Sequence, residues 1–153
     1  MTKKFIILFI LILVLNNCGY SPIYSTKYQD FKLSNIIFSG ERDINKILKR
    51  RLDNYTQNES AEKIYDVTMN SSLQKNIDTK DKKGNPTQFS LRINVDLVIV
   101  DKSGKTVEIN FSEKKSYNNK DEKFELQMYE NNLIQNMSEK ILSDMILFFQ
   151  NPY

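Results

Sequence analysis

The sequence predicts an α+β fold, a two-layer sandwich in which two helices cover one face of a mostly antiparallel four-stranded sheet. Two segments, 87–100 and 105–116, alternate between apolar and polar residues, which is typical of antiparallel strands with one wet face. Two further segments carry their apolar residues on one helical stripe. The order along the chain is strand, helix, three strands, helix, which lets both helices bury the same apolar sheet face.

A first strand and a first helix follow a polar stretch near the N-terminus. Residues 31–39 (FKLSNIIFS) have the composition of a strand and stop at Gly40. From Glu41 onward apolar residues recur at helical spacing, and Glu41 and Asp43 favour the start of this helix through its dipole. The apolar stripe consists of Ile44, Ile47, Leu48, Leu52 and Tyr55.

Three strands follow, at residues 63–75, 87–100 and 105–116. Their apolar residues occupy odd positions and share one face, because successive side chains of a strand point to opposite sides of the sheet. Residues 101–104 (DKSG) supply a short turn, so the last two strands are predicted to form a hairpin. The inward side chains are Tyr65, Val67, Met69, Leu73, Phe89, Leu91, Ile93, Val95, Leu97, Ile99, Val107, Ile109 and Phe111.

A long final helix, over about residues 121–149, completes the cover of the sheet. Pro152 lies just beyond its end, where proline commonly stops a helix. The acidic pair Asp121 and Glu122 is explained by the favourable position of negative charge at a helix start. The apolar residues of this helix are Leu133, Ile134, Met137, Ile141, Met145 and Phe148.

The composition excludes several classes of function. The 153 residues include no histidine, which rules out Ser-His-Asp triads, HExxH zinc sites and imidazole bases. Without its first 17 residues the chain has 20 basic and 19 acidic residues, and a net charge of +1 attracts nucleic acid only weakly. We therefore expect a protein that is not an enzyme, with no catalytic residue, no metal site, no cofactor and no nucleic-acid partner.

The N-terminus has the organisation of a bacterial export signal. Lys3 and Lys4 precede an unbroken apolar run of 11 residues, 5–15, whereas a helix needs roughly 20 apolar residues to span a bilayer. Leu15-Asn16-Asn17-Cys18-Gly19 then resembles the lipobox of bacterial lipoproteins, although Asn17 stands where that motif favours Gly, Ala or Ser. This organisation predicts a signal peptide over 1–17.

The lipobox resemblance implies that Cys18 carries a diacylglycerol on its sulfur and an acyl chain, such as palmitate, on its amine. Chains of this kind hold a protein on a membrane, since each buried CH₂ contributes about 0.8 kcal/mol. Gly19, rather than Asp, after the cysteine favours the outer membrane and a periplasm-facing position. We expect a lipidated tether over 18–30 and one α+β domain over 31–153; alternatively, Cys18 is an incidental thiol near a secretory cleavage site.

The seven residues Cys18–Tyr24 (CGYSPIY) resemble the start of the mature chain in the LPS-assembly lipoprotein LptE family, alphaproteobacterial type. The order of strands and helices also fits. The resemblance implies an outer-membrane lipoprotein that plugs and helps to assemble a large β-barrel lipopolysaccharide translocon (LptD-like). It also implies contact with lipopolysaccharide, so that lipopolysaccharide, the barrel and the membrane are the expected partners in lipopolysaccharide transport.

Two surfaces are candidates for such contacts. Lys75, Lys80, Lys82 and Lys83 lie in and beside the loop between the second and third strands, where they suit lipopolysaccharide phosphates; a solvated loop explains them as well. The outward residues of the hairpin form a polar face suited to a wet barrel lumen, which ordinary exposure to water explains equally. These outward residues are Arg92, Asn94, Asp96, Glu108 and Asn110.

A second function fits the same sequence. A free-standing, periplasm-facing lipoprotein of this fold is suited to carry or chaperone an apolar ligand between its sheet and its helices. A lipid bound to the acyl-free domain would favour this alternative, and a barrel partner would favour the first.

Overall fold

The computed structural model describes residues 30–151, which contain four strands and two helices. The strands are β1 (Phe31–Gly40), β2 (Lys63–Lys80), β3 (Pro86–Asp101) and β4 (Thr106–Asn118), and the helices are α1 (Arg42–Leu52) and α2 (Lys123–Gln150). A 3₁₀ turn, Asp53–Tyr55, follows α1. The order β-α-β-β-β-α is the predicted one, and the α+β class is confirmed. The signal peptide, Cys18 and nearly all of the predicted tether lie outside the described residues.

The four strands lie side by side in the order of the sequence, β1-β2-β3-β4. β1 and β2 are parallel, and the other two pairs are antiparallel. A parallel pair needs a crossover, which α1 supplies. We call the end at which β1 and β2 begin the base, and the end at the β2–β3 turn the tip. The 18 residues of β2 separate base from tip by about 60 Å.

The sheet is four strands wide only in the half nearer the base. β1 pairs with β2 up to Gly40, which lies opposite Ser71, and the part of the sheet beyond this level consists of β2, β3 and β4. Gly40 has φ +87°, and a Cβ added to it would lie 1.9 Å from the carbonyl oxygen of Ser71. A residue without a side chain is therefore required where the chain leaves β1 and enters α1.

The core fills the space between the helices and one face of the sheet. The odd positions of β2 and β3 predicted to point inward are buried, except for the half-buried Leu73, and those of β4 are half-buried. α2 runs from tip to base across this face. The largest fully buried side chains are Phe31, Phe149, Leu33, Ile44, Leu48, Leu52, Met69, Leu91, Ile93, Leu97, Met137 and Ile141.

The structure differs from the sequence-based expectation at the far part of β2. This strand continues to Lys80 instead of ending at residue 75. Asp78 is the extra residue of a bulge, and its carboxylate lies over the outward side chain of Ser90. Ser90 occupies an even, outward position of β3 but is only 1% exposed, and the carboxylate of Asp78 accepts a hydrogen bond from its hydroxyl at 2.7 Å.

The two hairpin turns use the same chemistry. Asp81 and Asp101 each begin a sequence of the form Asp-Lys-x-Gly-x, and each carboxylate accepts hydrogen bonds from the backbone two and four residues later. The amides of Gly84 and Gly104 in turn donate to the carbonyl oxygens of these aspartates. A loop was expected between the second and third strands, and the structure closes it with this Asx-type turn.

Candidate functional site

The sheet face opposite the helices is polar, and its side chains form hydrogen bonds from strand to strand. Asn110 Nδ2 donates to Asp96 Oδ1 at 2.7 Å, and Ser112 Oγ donates to Asn94 Oδ1 at 2.8 Å. Arg92 donates to Ser112 Oγ at 3.3 Å. The register places these pairs in successive rows across β3 and β4, so the predicted outward residues lie together on one surface.

Asp78 extends this hydrogen-bonded surface to the tip. Its carboxylate accepts hydrogen bonds from the hydroxyls of Ser90 on β3 and Ser116 on β4, at 2.7 and 3.1 Å. These bonds, the one from Ser90 first, hold the pKa of Asp78 below its usual range, and the nearby positive charge of Lys114 acts in the same direction. A carboxylate on the bulge therefore links all three strands of the tip and stays ionised.

One row of the polar face contains apolar side chains. Ile37, Thr68 and Val98 are neighbours across β1, β2 and β3, and the two apolar members are exposed. An exposed apolar pair within a polar surface is a natural anchor point for a partner, because contact with the pair removes apolar area from water.

The four candidate lysines do not form a single cluster. Lys75 lies on the helix-facing side of β2, where its ammonium is 2.6 Å from Glu130 and 4.6 Å from the centre of the Phe89 ring. Lys80, by contrast, is the last residue of β2, and Lys82 and Lys83 are exposed in the turn. The structure thus divides the set into one lysine engaged by α2 and three at the tip.

The turn that carries the tip lysines has a defined shape. Asp81 accepts hydrogen bonds from the amides of Lys83 and Asn85, each at 2.8 Å, and from the Asn85 side chain at 3.0 Å. The bonds from Asn85 are the main reason that the pKa of Asp81 lies below its usual range. Asp81 therefore stabilises the turn as its hydrogen-bond acceptor, while the lysine side chains extend into solvent.

The helix-facing side of the tip is lined by aromatic rings. Ile77, Phe89 and Tyr117 form one row across β2, β3 and β4, with the last two rings stacked at 5.8 Å. Tyr129 of α2 lies 5.7 Å from Tyr117, and a shallow groove of about 460 Å³ opens here. Its lining residues are Gln88, Ser116, Tyr117, Asn118, Asn119, Lys120 and Tyr129.

Glu130 connects α2 to this row and was not singled out from the sequence. Its Oε1 accepts the hydroxyl of Tyr117 at 2.6 Å and the ammonium of Lys75 at 2.6 Å. Burial first, and then the bond to Glu130, raise the pKa of the Tyr117 phenol well above 10. The alternation of β4 includes Tyr117 as an inward odd position, but no sequence signal distinguishes Glu130 from the other polar residues of α2.

The first turns of α2 leave apolar side chains uncovered. Phe124 is 73% exposed and Met128, one turn later on the same side of the helix, is 48% exposed. Ile77 on β2 is exposed to a similar degree. The tip thus combines three solvent-facing lysines with apolar side chains, a combination suited to a ligand that has both anionic and acyl parts.

Within residues 30–151, no group of three or more His, Cys, Asp or Glu side chains is placed to hold a metal ion. In the same part of the chain, neither helix combines the length and the apolar character needed to cross a bilayer. Cys18, the predicted attachment point of lipid, lies outside the described residues.

The fold is similar to that of solved bacterial lipoproteins. The crystal structure of rare lipoprotein B from Shewanella oneidensis aligns with a TM-score of 0.52 at 13% identity, covering 72% of this chain and 92% of that one. The solution structure of lipoprotein B from Nitrosomonas europaea aligns with a TM-score of 0.51 at 13% identity, covering 82% and 88%. No family model and no curated protein sequence matches the chain. At this identity the similarity concerns the fold alone.

Proposed function

We propose that this chain is an outer-membrane lipoprotein, anchored through Cys18, that occupies a β-barrel lipopolysaccharide translocon and supports lipopolysaccharide transport to the cell surface. In this role it is a partner subunit and not an enzyme. The proposal starts from the CGYSPIY segment and is supported by a fold that solved bacterial lipoproteins share. The observation that carries it is the polar, hydrogen-bonded sheet face that neither helix covers.

A barrel lumen is a suitable environment for this face. Its rows of amides, hydroxyls and carboxylates already satisfy one another, so contact with the polar inner wall of a large barrel requires little desolvation. The exposed Ile37 and Val98 supply a local apolar contact within it. A buried second layer on this face would instead require an apolar sheet surface.

The length of the sheet also suits a plug. β2 spans about 60 Å, which exceeds the hydrocarbon core of a bilayer, about 30 Å thick. A chain tethered at its base therefore presents its tip beyond the far side of that core. In this arrangement Lys80, Lys82 and Lys83 meet the phosphates of lipopolysaccharide as it leaves the barrel, and the apolar side chains beside them meet its acyl chains.

The alternative role, as a carrier of an apolar ligand between sheet and helices, has less support from the geometry. The space between the two layers is occupied by fully buried core side chains, and the groove at the tip opens at the surface instead of lying between the layers. No described feature favours it over the barrel subunit.

The first test is recovery of a barrel partner. A tagged chain purified from solubilised outer membranes should bring down one large β-barrel protein in equimolar amount. Asp96→Arg, on the polar sheet face, should lower that recovery at least about tenfold. Burial of a charge that has no partner, or that lies beside a charge of the same sign, is costly. Asn131→Arg, which introduces the same side chain at an exposed position of α2, should lower it much less. Recovery of no barrel by the unmodified chain would refute the proposal.

The second test concerns lipopolysaccharide. Replacement of Lys80, Lys82 and Lys83 by Ala should weaken the binding of purified lipopolysaccharide at low salt about tenfold or more, because each lysine contributes a phosphate contact. The chemically similar turn at the base offers a matched control: Lys102→Ala with Lys105→Ala should have little effect. Lys75→Ala should also have a smaller effect, since Glu130 already neutralises this lysine. Equal losses in all variants would show that the tip has no special role.

The third test concerns the anchor. The unmodified chain should incorporate labelled palmitate and fractionate with the outer membrane, while Cys18→Ala should incorporate none and should remain uncleaved or be released. Labelling that persists in Cys18→Ala would place the lipid elsewhere, and no labelling of the unmodified chain would favour the incidental-thiol interpretation.

A further inference from the structure

One face of α1 is strongly basic. The helix buries Ile44, Leu48 and Leu52 in the core, and its other side carries exposed cations against a single acid, Asp43. The exposed cations are Arg42, Lys46, Lys49, Arg50 and Arg51. We call this surface the basic face of α1.

The basic face descends to the base of the molecule. α1 begins beside Ser71, whose carbonyl accepts the amide of Glu41 at 2.9 Å. It ends in the 3₁₀ turn whose Tyr55 stacks on Phe31 at 4.9 Å, and Phe31 is the first residue of β1. The last turn of α1, with Lys49, Arg50 and Arg51, therefore lies near the point at which the chain enters the domain.

α2 ends at the same base and leaves an apolar side chain uncovered. Phe149 packs against Phe31 at 5.3 Å, and the carbonyl of Gln150 accepts the ammonium of Lys63 at 2.7 Å. Leu147, in the last turn of α2, is 56% exposed. The base thus presents basic side chains and an exposed leucine where the tether begins.

Helix stability explains only part of this charge. Cations in the last turn of α1 complement the helix dipole, but Arg42 at its N-terminal end opposes the dipole and Lys46 lies between the two ends. Within residues 30–151, the observed ion pairs involve lysines of other elements and no residue of α1. The basic face is therefore directed to solvent, where it is available to an anionic surface.

We propose that the basic face of α1, together with Leu147, docks the base of the domain on an anionic phospholipid surface. The tether from Cys18 to Asp30 spans at most about 45 Å, so the base is the end held near the anchored lipid. A lipid anchor and a basic surface commonly act together at membranes. The acidic residues Asp53, Glu59 and Glu62 follow α1 and offset its charge at longer range. The attraction to anionic lipid therefore comes from the basic face itself, which acts within a Debye length of about 10 Å, and not from the net charge of the chain.

The inference rests on the anchor of the proposed function but not on the barrel. It is testable on the chain from residue 18 onward with Cys18→Ser, whose core lies within the described residues. The chain has no tryptophan, so a single one reports its own surroundings. Leu147→Trp at the base should shift its emission to the blue on vesicles of phosphatidylcholine with about one-third phosphatidylglycerol, and brominated lipid should quench it. Asn136→Trp, at an exposed position midway along α2, should show neither effect.

Charge variants test the same contact independently. Lys46→Gln, Lys49→Gln and Arg50→Gln together should lower the partition coefficient onto these vesicles roughly a hundredfold, and high salt should abolish the difference. Lys114→Gln, Lys115→Gln and Lys140→Gln remove the same charge from exposed positions outside the basic face and the tip turn, and should lower it less than about threefold. Arg50→Lys with Arg51→Lys should bind as the unmodified chain does, which separates charge from folding. Equal losses in the two triple variants, or a blue shift for Asn136→Trp alone, would overturn the inference.

Discussion

The base and the tip of the molecule are built from the same sheet but are closed in different ways. At the base, four strands and the ends of both helices enclose the aromatic rings of Phe31, Tyr65 and Phe149, which lie within 6 Å of their neighbours. At the tip, three strands and one helix leave the row that contains Phe89 and Tyr117 open to a groove. The base can therefore carry most of the stability, while the tip keeps side chains available for a ligand.

The largest expected loss in the free energy of unfolding comes from a substitution at the base. Phe149→Ala removes a fully buried ring that packs on Phe31 and Tyr65, and should lower the free energy of unfolding by about 4 kcal/mol. Phe124→Ala at the tip removes the same group from a position that is 73% exposed, and should change it by less than about 0.5 kcal/mol. Urea unfolding of the acyl-free chain measures both. Equal losses would mean that the two ends are equally packed.

A slightly smaller effect is expected at the level where the two regions meet. Gly40→Ala places a Cβ against the carbonyl of Ser71 at a positive φ, so β1 or α1 must shift. We expect a loss of about 3 kcal/mol, from backbone strain and from displaced core residues at the base. Gly84→Ala is the control, since its φ is also +87° but no atom lies within 4 Å of the added Cβ. A loss no larger than that of the control would remove the steric argument.

At the tip, the hydrogen bond between Tyr117 and Glu130 joins β4 to α2. Tyr117→Phe should lower the free energy of unfolding by about 1.5 kcal/mol, because the lost bond has a charged acceptor. It should also alter the response to alkali. The folded-state pKa of Tyr117 is raised above 10, so the stability that it contributes is complete below pH 10 and falls as the pH rises further.

Tyr65 at the base provides the comparison for this pH effect. Its pKa is raised by burial and by the charge of Asp101, so it also loses stability above pH 10. Tyr117→Phe should remove more of the alkaline slope than Tyr65→Phe, as measured by unfolding between pH 8 and pH 11. A slope left unchanged by Tyr117→Phe would contradict the proposed bond.

The hydrophobic periodicity of the sequence predicts which faces of the strands and helices are buried at both the base and the tip. The odd positions of β2 and β3 are buried as predicted, apart from the half-buried Leu73. The helix stripes are confirmed in part: Ile47, Leu133, Ile134 and Phe148 are half-buried, and the fully buried Phe149 lay outside the predicted stripe. The extension of β2 was not predictable in this way, because residues 76–80 alternate poorly and are held by a bulge at Asp78 and by an Asx turn. Pairing partners that are distant in sequence decide such features.

The same limit applies to the candidate site. The sequence indicated four candidate lysines in and beside the tip loop. Only the packing of α2 distinguishes Lys75 from the other three, because Lys75 pairs with Glu130, which lies 55 residues later in the chain. The helical spacing of the sequence places the basic residues Arg42, Lys46, Lys49 and Arg50 off the apolar stripe of α1. Their position at the base follows from the crossover between β1 and β2, which periodicity does not specify.

The smallest expected effect on the free energy of unfolding comes from a substitution that lies in neither the base nor the tip. Ser138 Oγ, midway along α2, is buried and makes no hydrogen bond within residues 30–151. Ser138→Ala removes an unsatisfied polar atom and adds helix propensity, so it should raise the free energy of unfolding by about 1 kcal/mol. Ser143→Ala is the control, since that hydroxyl donates to the carbonyl of Glu139 at 3.0 Å, and it should change stability little. Lipopolysaccharide and vesicle binding by Ser138→Ala should match the unmodified chain, because the core between the ends supports both surfaces without forming part of either.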